Sequence, residues 1–324
     1  MSLKILVTGG AGFIGSNFCN INKNKFDITA LDNLFLGDPD NLDPDIKFIQ
    51  GDSCKEKDLE KCGKNFDIIL HLAGTSSAPM FEGEKFITAY QNSINSFLQV
   101  LDFAKKCGTK KILYASTSSL YGNQELPLSE NKKRFSTNHY SVSKIFYENC
   151  AKCFQKINPE IDTIGFRFMS VYGPNEEAKG KFANLISQFI WDMARDLPPV
   201  IYGDGNQSRD FTNVEDIVQA ITLAIETGLK LNNQIFNIGT GQSSSLNEMI
   251  SLIKKYLHTD ISPKYIKNPV KENYILAQHA DISKIQEILG YSPKIDLETG
   301  IQKQIKLLRK NKIRETSSDY FREK

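Results

Sequence analysis

Apolar residues in the first half of the chain gather into short runs at 4–8, 28–31, 47–49, 68–72, 111–116 and 163–168. Several are almost continuous in Ile, Leu and Val, the pattern of strands covered on both faces of a parallel sheet. Between them lie stretches of helical periodicity, such as 92–106 and 140–155. Strands alternating with helices in this way predict a doubly wound α/β domain. After Arg167 the pattern changes: Tyr172-Gly173-Pro174 reads as a turn, followed by a polar loop and a helix over 182–194. Pro198 and Pro199 precede a short strand at 200–202, and a helix at 214–226 with a strand at 235–238 is placed to return to the main sheet. There is no internal repeat or low-complexity linker, and the polar segment 315–324 is expected to fray. The fold expected is a Rossmann-like doubly wound parallel sheet over 1–168, with 212–240 returning to it. A smaller C-terminal substrate lobe would be built from 169–211 and 241–324.

Composition narrows the possibilities. A chain of 324 residues with 40% hydrophobic and 24% charged residues has ample material for a core. A net charge of +2 is too balanced for a polyanion binder, so nucleic acid is not an expected partner and any anion recognition is local. No run approaches the roughly 18 apolar residues that span a bilayer, so no membrane partner is expected. The chain enters its first strand without a signal-peptide pattern, and the six cysteines read as reduced thiols of a cytoplasmic protein. Cys150 and Cys153 form a C-x-x-C inside a helix with no second ligand pair, so they read as structural, and no metal is expected.

The first strand runs into Thr8-Gly9-Gly10-Ala11-Gly12-Phe13-Ile14-Gly15 and then a helix. Gly9, Gly12 and Gly15 suit a tight turn, close approach of backbone to a pyrophosphate and close helix–strand packing. The helix N-terminus offers the phosphates free N–H groups and a partial positive charge. Asp32 ends the second strand, where a carboxylate accepts both ribose hydroxyls of NAD and repels a 2′-phosphate. No Lys or Arg follows within 33–38 to welcome that phosphate, so the cofactor expected is NAD. Asp52, after the third strand, is placed to reach the adenine amino group.

Tyr140 and Lys144 are spaced i, i+4 on one helix face. A neighbouring ammonium favours phenolate and is expected to lower the tyrosine pKa from about 10. Such a tyrosine can take a hydroxyl proton while hydride leaves the same carbon. Upstream, Ser116-Thr117-Ser118-Ser119 ends a strand, and in an open parallel sheet ligands bind beyond the carboxyl ends of strands.

Together TGGAGFIG, LDN, HLAG, YASTSSLYG, YSVSK, RFMSVYGP and GDGNQSRDF resemble, in order and spacing, the extended short-chain dehydrogenase/reductase family, most closely its nucleotide-sugar epimerases. The resemblance covers nearly the whole chain. It implies Tyr140 as base and acid, Lys144 on the nicotinamide ribose and Thr117 on the reacting sugar hydroxyl. It also implies cofactor contacts from Phe13, Ile14, Asn33, Asp52, Ser53, Leu72 and Ala73. On the substrate side it implies Arg209 as the diphosphate clamp, since a guanidinium bonds phosphate oxygens in pairs. Lys271 stands for a second arginine, Asn184 and Leu185 hold the nucleotide base, and Tyr202 stacks on it. A homodimer is implied as well, through a four-helix bundle of the helices at 92–106 and 140–155, where Phe97, Val100, Leu101 and Phe146 supply apolar positions.

Departures from the family sharpen the reading. Related dehydratases carry Asp-Glu where this chain has Ser118-Ser119, which disfavours loss of water from the sugar. Related decarboxylases carry a glutamate there. Ser170 replaces an asparagine common in the family. The stretch around Lys179 resembles heptose 6-epimerases, which place a candidate second base there but generally prefer NADP. The expected function is NAD-dependent epimerisation of a nucleotide-diphosphate sugar, a UDP-sugar first, at C4 through a 4-keto intermediate. The alternatives are epimerisation at another carbon, a nucleotide-sugar dehydrogenase, and a non-catalytic sensor that kept the fold.

Overall fold

The computed structural model describes residues 2–83, 86–269 and 274–322. In chain order, the N-terminal part contains β1 (Lys4–Thr8), α1 (Phe13–Asn22), β2 (Asp27–Asp32), β3 (Lys47–Gln50), α2 (Glu56–Glu60), β4 (Ile68–His71), α3 (Phe86–Cys107), β5 (Lys111–Thr117), α4 (His139–Ile157) and β6 (Asp162–Phe168). There follow β7 (Ser170–Tyr172), α5 (Leu185–Ala194), β8 (Val200–Tyr202), β9 (Ser208–Arg209), β10 (Phe211–Asn213), α6 (Val214–Glu226) and β11 (Ile235–Ile238). The chain ends with β12 (Ser244–Ser245), α7 (Leu246–Leu257), β13 (Lys264–Ile266), α8 (Ser283–Leu289), α9 (Leu297–Lys306) and α10 (Asp319–Arg322).

Seven parallel strands form the central sheet in the order β11-β6-β5-β4-β1-β2-β3. The apolar runs explain it, because successive side chains on one strand enter opposite layers. On β1, Ile5 and Val7 pack in a core with Phe18 of α1 and Ile217 and Ile221 of α6. Leu6 between them packs with Phe97, Val100 and Leu101 of α3 and Tyr147 of α4. Each such buried side chain contributes on the order of 1.5–3 kcal/mol. β11 joins the sheet beside β6 as anticipated, Ile235 opposite Gly165. Strand order reverses at β1, with β2 on one side and β4 on the other, so a crevice opens beyond their carboxyl ends.

A third core, with Phe189 and Trp191 of α5, Met249 and Ile253 of α7 and Ile301 of α9, supports the segments that face this crevice. The helix expected over 182–194 begins at Leu185, because Asn184 caps it by accepting from the Ile186 N–H at 3.0 Å; a 3₁₀ segment at Glu177–Phe182 precedes it. The tail does not fray as far as residue 322. Arg322 pairs with buried Asp192 at 2.6 Å, Thr316 donates to the same carboxylate at 2.7 Å, and Ser318 Oγ accepts the Val200 N–H at 3.0 Å. Asp192, already paired with Arg195 at 2.9 Å, holds the polar tail through a second cation and a hydroxyl, which local sequence does not reveal.

Behind the crevice, Glu148 of α4 and Arg167 of β6 form a buried two-point ion pair, Nε–Oε1 at 2.9 Å and Nη2–Oε2 at 2.8 Å. Ser116 Oγ donates to the same carboxylate at 2.7 Å, and Arg167 Nη1 donates to the Tyr121 hydroxyl at 2.8 Å. Replacing Arg167 with Met leaves the buried carboxylate with Ser116 and the part-exposed Arg134, 3.3 Å away, and is expected to lower stability by about 3 kcal/mol in urea denaturation. The double variant R167M/E148L should recover most of that loss. A single variant as stable as the parent would contradict this role.

Candidate active site

The crevice is a cleft of about 520 Å³ running from the β1–α1 turn past β4 and β5 to Arg209. At its floor the N–H groups of Gly9 and Gly10 both donate to the Leu31 carbonyl, at 2.8 and 3.2 Å. Gly9 has φ +71°, and a Cβ on it would lie 2.8 Å from the Ala73 nitrogen. A Cβ on Gly15 would meet the Gly9 carbonyl oxygen at 2.1 Å, so only glycine lets α1 approach the turn this closely. Gly12 begins α1 without a side-chain cap, leaving its first turn, with Phe13 and Ile14, to face the cleft as an anion site.

Asp32 ends β2 almost buried. Its carboxylate accepts the Leu34 N–H at 2.8 Å and the Ala11 N–H at 3.1 Å. Burial pushes its pKa up, and these backbone donors with that of Gly12 oppose the rise. Cations do approach the neighbouring loop, but each is committed. Lys312 pairs with Asp38 and Asp40 at 2.9 and 2.8 Å, and Arg309 with Glu177 at 2.6 Å. Asn33, Asp52, Ser53, Leu72 and Ala73 line the same end. Asp52 is oriented by accepting the Cys54 N–H at 3.0 Å, and Ser53 Oγ lies 2.6 Å from Ser96 Oγ. This end fits a dinucleotide carrying free ribose hydroxyls.

At the far end of β5, Thr117 lies within hydrogen-bonding reach of the Tyr140 hydroxyl. Asn138 caps α4 by accepting the Ser141 N–H at 2.9 Å, which fixes Tyr140 in the first turn and Lys144 one turn on. Both side chains line the cleft and are almost buried, with Lys144 Nζ 5.9 Å from the Tyr140 ring centre and 4.2 Å from that of Tyr147. Burial lowers the Lys144 pKa to about 7. The expected depression of the tyrosine is not found. Burial raises the Tyr140 pKa, and the Thr117 hydrogen bond opposes the rise without cancelling it, because desolvation of the phenolate is the larger effect.

The substrate-side residues divide. Arg209, Lys179 and Asn184 line the cleft. Lys179 is held by buried Glu176 at 3.0 Å and lies 5.2 Å from the Phe13 ring centre, so it is not a solvated loop lysine. The Asn184 side chain is committed to the fold, donating to Ser170 Oγ at 3.0 Å and the Val171 carbonyl at 2.9 Å while it caps α5. Half-buried Leu185 packs on the third core, and Tyr202 packs against Phe321 and Tyr274. Lys271 lies outside the described residues.

Several lining residues had no motif to mark them: Ser76, Ser77 and Ala78 after β4, and Ile275 and Gln278 from the C-terminal lobe. The first three come one residue after HLAG and were open to notice; the last two arrive by a chain crossing that no local pattern encodes. His71 was also missed. Buried at the end of β4 with Nδ1 2.8 Å from Thr8 Oγ1, it has its pKa lowered to about 3, first by burial and then by Lys144, and stays neutral.

The carboxylate of Asp32, with the nearby cations already paired, sets an expectation for cofactor choice. Direct titration should show NAD binding at least about tenfold tighter than NADP, a difference of about 1.4 kcal/mol. Equal affinities would contradict it.

Residues 5–239 match the NAD dependent epimerase/dehydratase family. Among solved structures, the chain is similar to a UDP-glucose 4-epimerase with UDP-glucose from Thermotoga maritima. The two are 30% identical with a TM-score of 0.88, over 95% of this chain and 99% of that one. It is similar to a UDP-N-acetylglucosamine 4-epimerase from Methanobrevibacter ruminantium M1 in complex with UDP-N-acetylmuramic acid, at 30% identity and TM-score 0.87 over 94% and 98% of the two chains. It is also similar to a UDP-glucuronic acid 4-epimerase from Bacillus cereus in complex with UDP-glucuronic acid and NAD, at 28% identity and TM-score 0.85 over 94% and 98%. The matched span holds both the glycine turn and the Tyr140–Lys144 helix, and the chain therefore belongs to the NAD dependent epimerase/dehydratase family.

Proposed function

We propose that this protein interconverts the C4 epimers of a UDP-sugar with NAD as a recycled cofactor. The observation that carries the reading is the convergence of Thr117, Tyr140 and Lys144 at one end of a cleft whose other walls hold Asp32 and Arg209. NAD supplies the hydride acceptor that later returns the hydride. Tyr140 takes the C4 hydroxyl proton as the carbon is oxidised to a ketone and gives it back when the opposite face is reduced. Thr117 bonds the reacting oxygen, Lys144 holds the nicotinamide ribose, and Arg209 keeps the diphosphate while the sugar turns. Gly9, Gly12 and Gly15 with α1 seat the pyrophosphate, and Asp32 takes the adenosine ribose. The remaining substrate contacts, including Lys271, Leu185 and Tyr202, belong to the same proposal through the family resemblance.

Ser118 and Ser119 line the cleft where dehydration would call for carboxylates, which supports a redox-neutral reaction. Lys179, the candidate base of a heptose-type reaction, is tied to Glu176, which favours Tyr140 as the proton carrier. Incubation of UDP-glucose deuterated at C4 should give UDP-galactose with deuterium still at C4 and no steady NADH absorbance. Tyr140→Phe should lower turnover by roughly 10²–10⁴-fold while NAD binding persists. A dehydrated sugar, stoichiometric NADH or a fully active Tyr140→Phe enzyme would overturn the assignment.

We place the enzyme in the cytoplasm, a reading supported by six free thiols, and propose that it works as a homodimer. Phe97, Val100 and Leu101, among the apolar positions expected to serve a partner, instead face the protein's own core. Outward apolar positions midway along the paired α3 and early on α4 include Leu98 and Val142, with half-buried Ile94 and Phe146. Light scattering at micromolar concentration should give twice the 36.6 kDa chain mass. A monomeric mass would refute the dimer.

A further inference from the structure

At the Arg209 end of the cleft, a cation is held by a ring. The Arg209 guanidinium centre lies 5.6 Å from the Tyr274 ring centre, and its Nη1 donates to the Ser208 carbonyl at 2.8 Å. Among the described residues it has no carboxylate partner. Tyr274 is itself fixed from several sides. Its hydroxyl accepts from Gln207 Nε2 at 3.0 Å, and that nitrogen also donates to the Tyr202 carbonyl at 2.7 Å. Its carbonyl accepts from Asn123 Nδ2 at 2.9 Å, and Asn123 Oδ1 accepts the Leu276 N–H at 2.9 Å. The strand of chain carrying it runs beside β9, with the Ser208 N–H donating to the Leu276 carbonyl at 2.9 Å and the Gln278 N–H to the Ser208 carbonyl at 3.2 Å. On its far side the ring meets Tyr202, centres 6.2 Å apart, and Tyr202 meets Phe321 of the anchored tail at 5.5 Å.

A carboxylate and an aromatic ring can both hold a guanidinium, with different consequences for an incoming anion. A carboxylate neutralises the cation and competes with phosphate for its N–H groups. A ring attracts the cation through its face and leaves both the charge and the N–H fork available. Fixing a long side chain before the ligand arrives also removes an ordering cost from binding. We propose that Tyr274 is the positioning residue for Arg209, a neutral ring that pre-orders the guanidinium for the diphosphate of the substrate without cancelling its charge. This rests on the reading that Arg209 takes the diphosphate.

The test compares full-length Tyr274→Phe, Tyr274→Leu and Arg209→Ala with the parent, using calorimetric titration with UDP, steady-state kinetics and a parallel NAD titration. Tyr274→Leu should weaken UDP by about tenfold and raise KM for the UDP-sugar, with kcat and NAD affinity within about twofold of the parent. Tyr274→Phe, which keeps the ring and loses the bonds of its hydroxyl to Gln207 and to Arg209, should still restore UDP affinity to within about twofold. If the leucine variant fails to fold, Tyr274→Met carries the same comparison. Unchanged UDP affinity in the aliphatic variant, or an equal loss in Tyr274→Phe, overturns the positioning role. Unchanged affinity in Arg209→Ala instead overturns the placement of the diphosphate, and is thereby told apart from failure of the role of Tyr274.

Discussion

The buried pair between Glu148 and Arg167 is the constraint on which the reacting centre depends. Tyr140, Lys144 and Glu148 follow one another at intervals of four along α4, so they share its inward face. The last of them is locked at two points to β6, and its carboxylate also takes the hydroxyl of Ser116, the neighbour of Thr117 on β5. One carboxylate therefore sets the position of the helix bearing Tyr140 relative to the strand bearing Thr117. Net stability from such a pair is small because desolvation offsets attraction. What it contributes here is register: a helix sliding by one turn would leave two charges buried and unpaired.

A second buried carboxylate performs the corresponding service for the C-terminal lobe. Asp210 follows Arg209 and accepts from the N–H and hydroxyl of Thr240 at 2.8 Å each, from the Gly241 N–H at 3.1 Å and from the Ala280 N–H at 3.1 Å. It gathers the end of β11 and the chain leading to α8 around β9. Burial raises its pKa, and these donors oppose that rise. Since Tyr274, Ile275 and Gln278 lie just before Ala280, the same bonds place the far wall of the cleft.

Electrostatics along the cleft are graded by burial. Lys144 and His71 are deep enough for desolvation to lower both pKa values, leaving the lysine near neutrality in its titration and the histidine uncharged. At the end of β2, Asp32 accepts hydrogen bonds from backbone N–H groups. Arg209 has its pKa lowered by burial and stands over a ring. The cleft thus carries a carboxylate at one end and a cation at the other, a local arrangement that the near-balanced net charge does not reveal.

The amino-acid sequence determined what depends on neighbours along the chain. Two-faced apolar runs gave the parallel strands, Gly9 and Gly15 gave a turn that no side chain can enter, and the four-residue spacing put Tyr140 and Lys144 on one face. The family resemblance then joined these into a site. Beyond its reach lay whatever depends on pairing between distant segments. Lys179 reads as a candidate second base until Glu176 is seen folded onto it, and nothing local shows that Asn184 also bonds Ser170 and Val171. The tail reads as frayed until Arg322 is seen to meet Asp192, and Tyr274 carries no motif at all. The physical reason is common to these cases. A polar side chain's role follows from which buried opposite charge or open backbone group the fold brings to it, and only tertiary structure decides that.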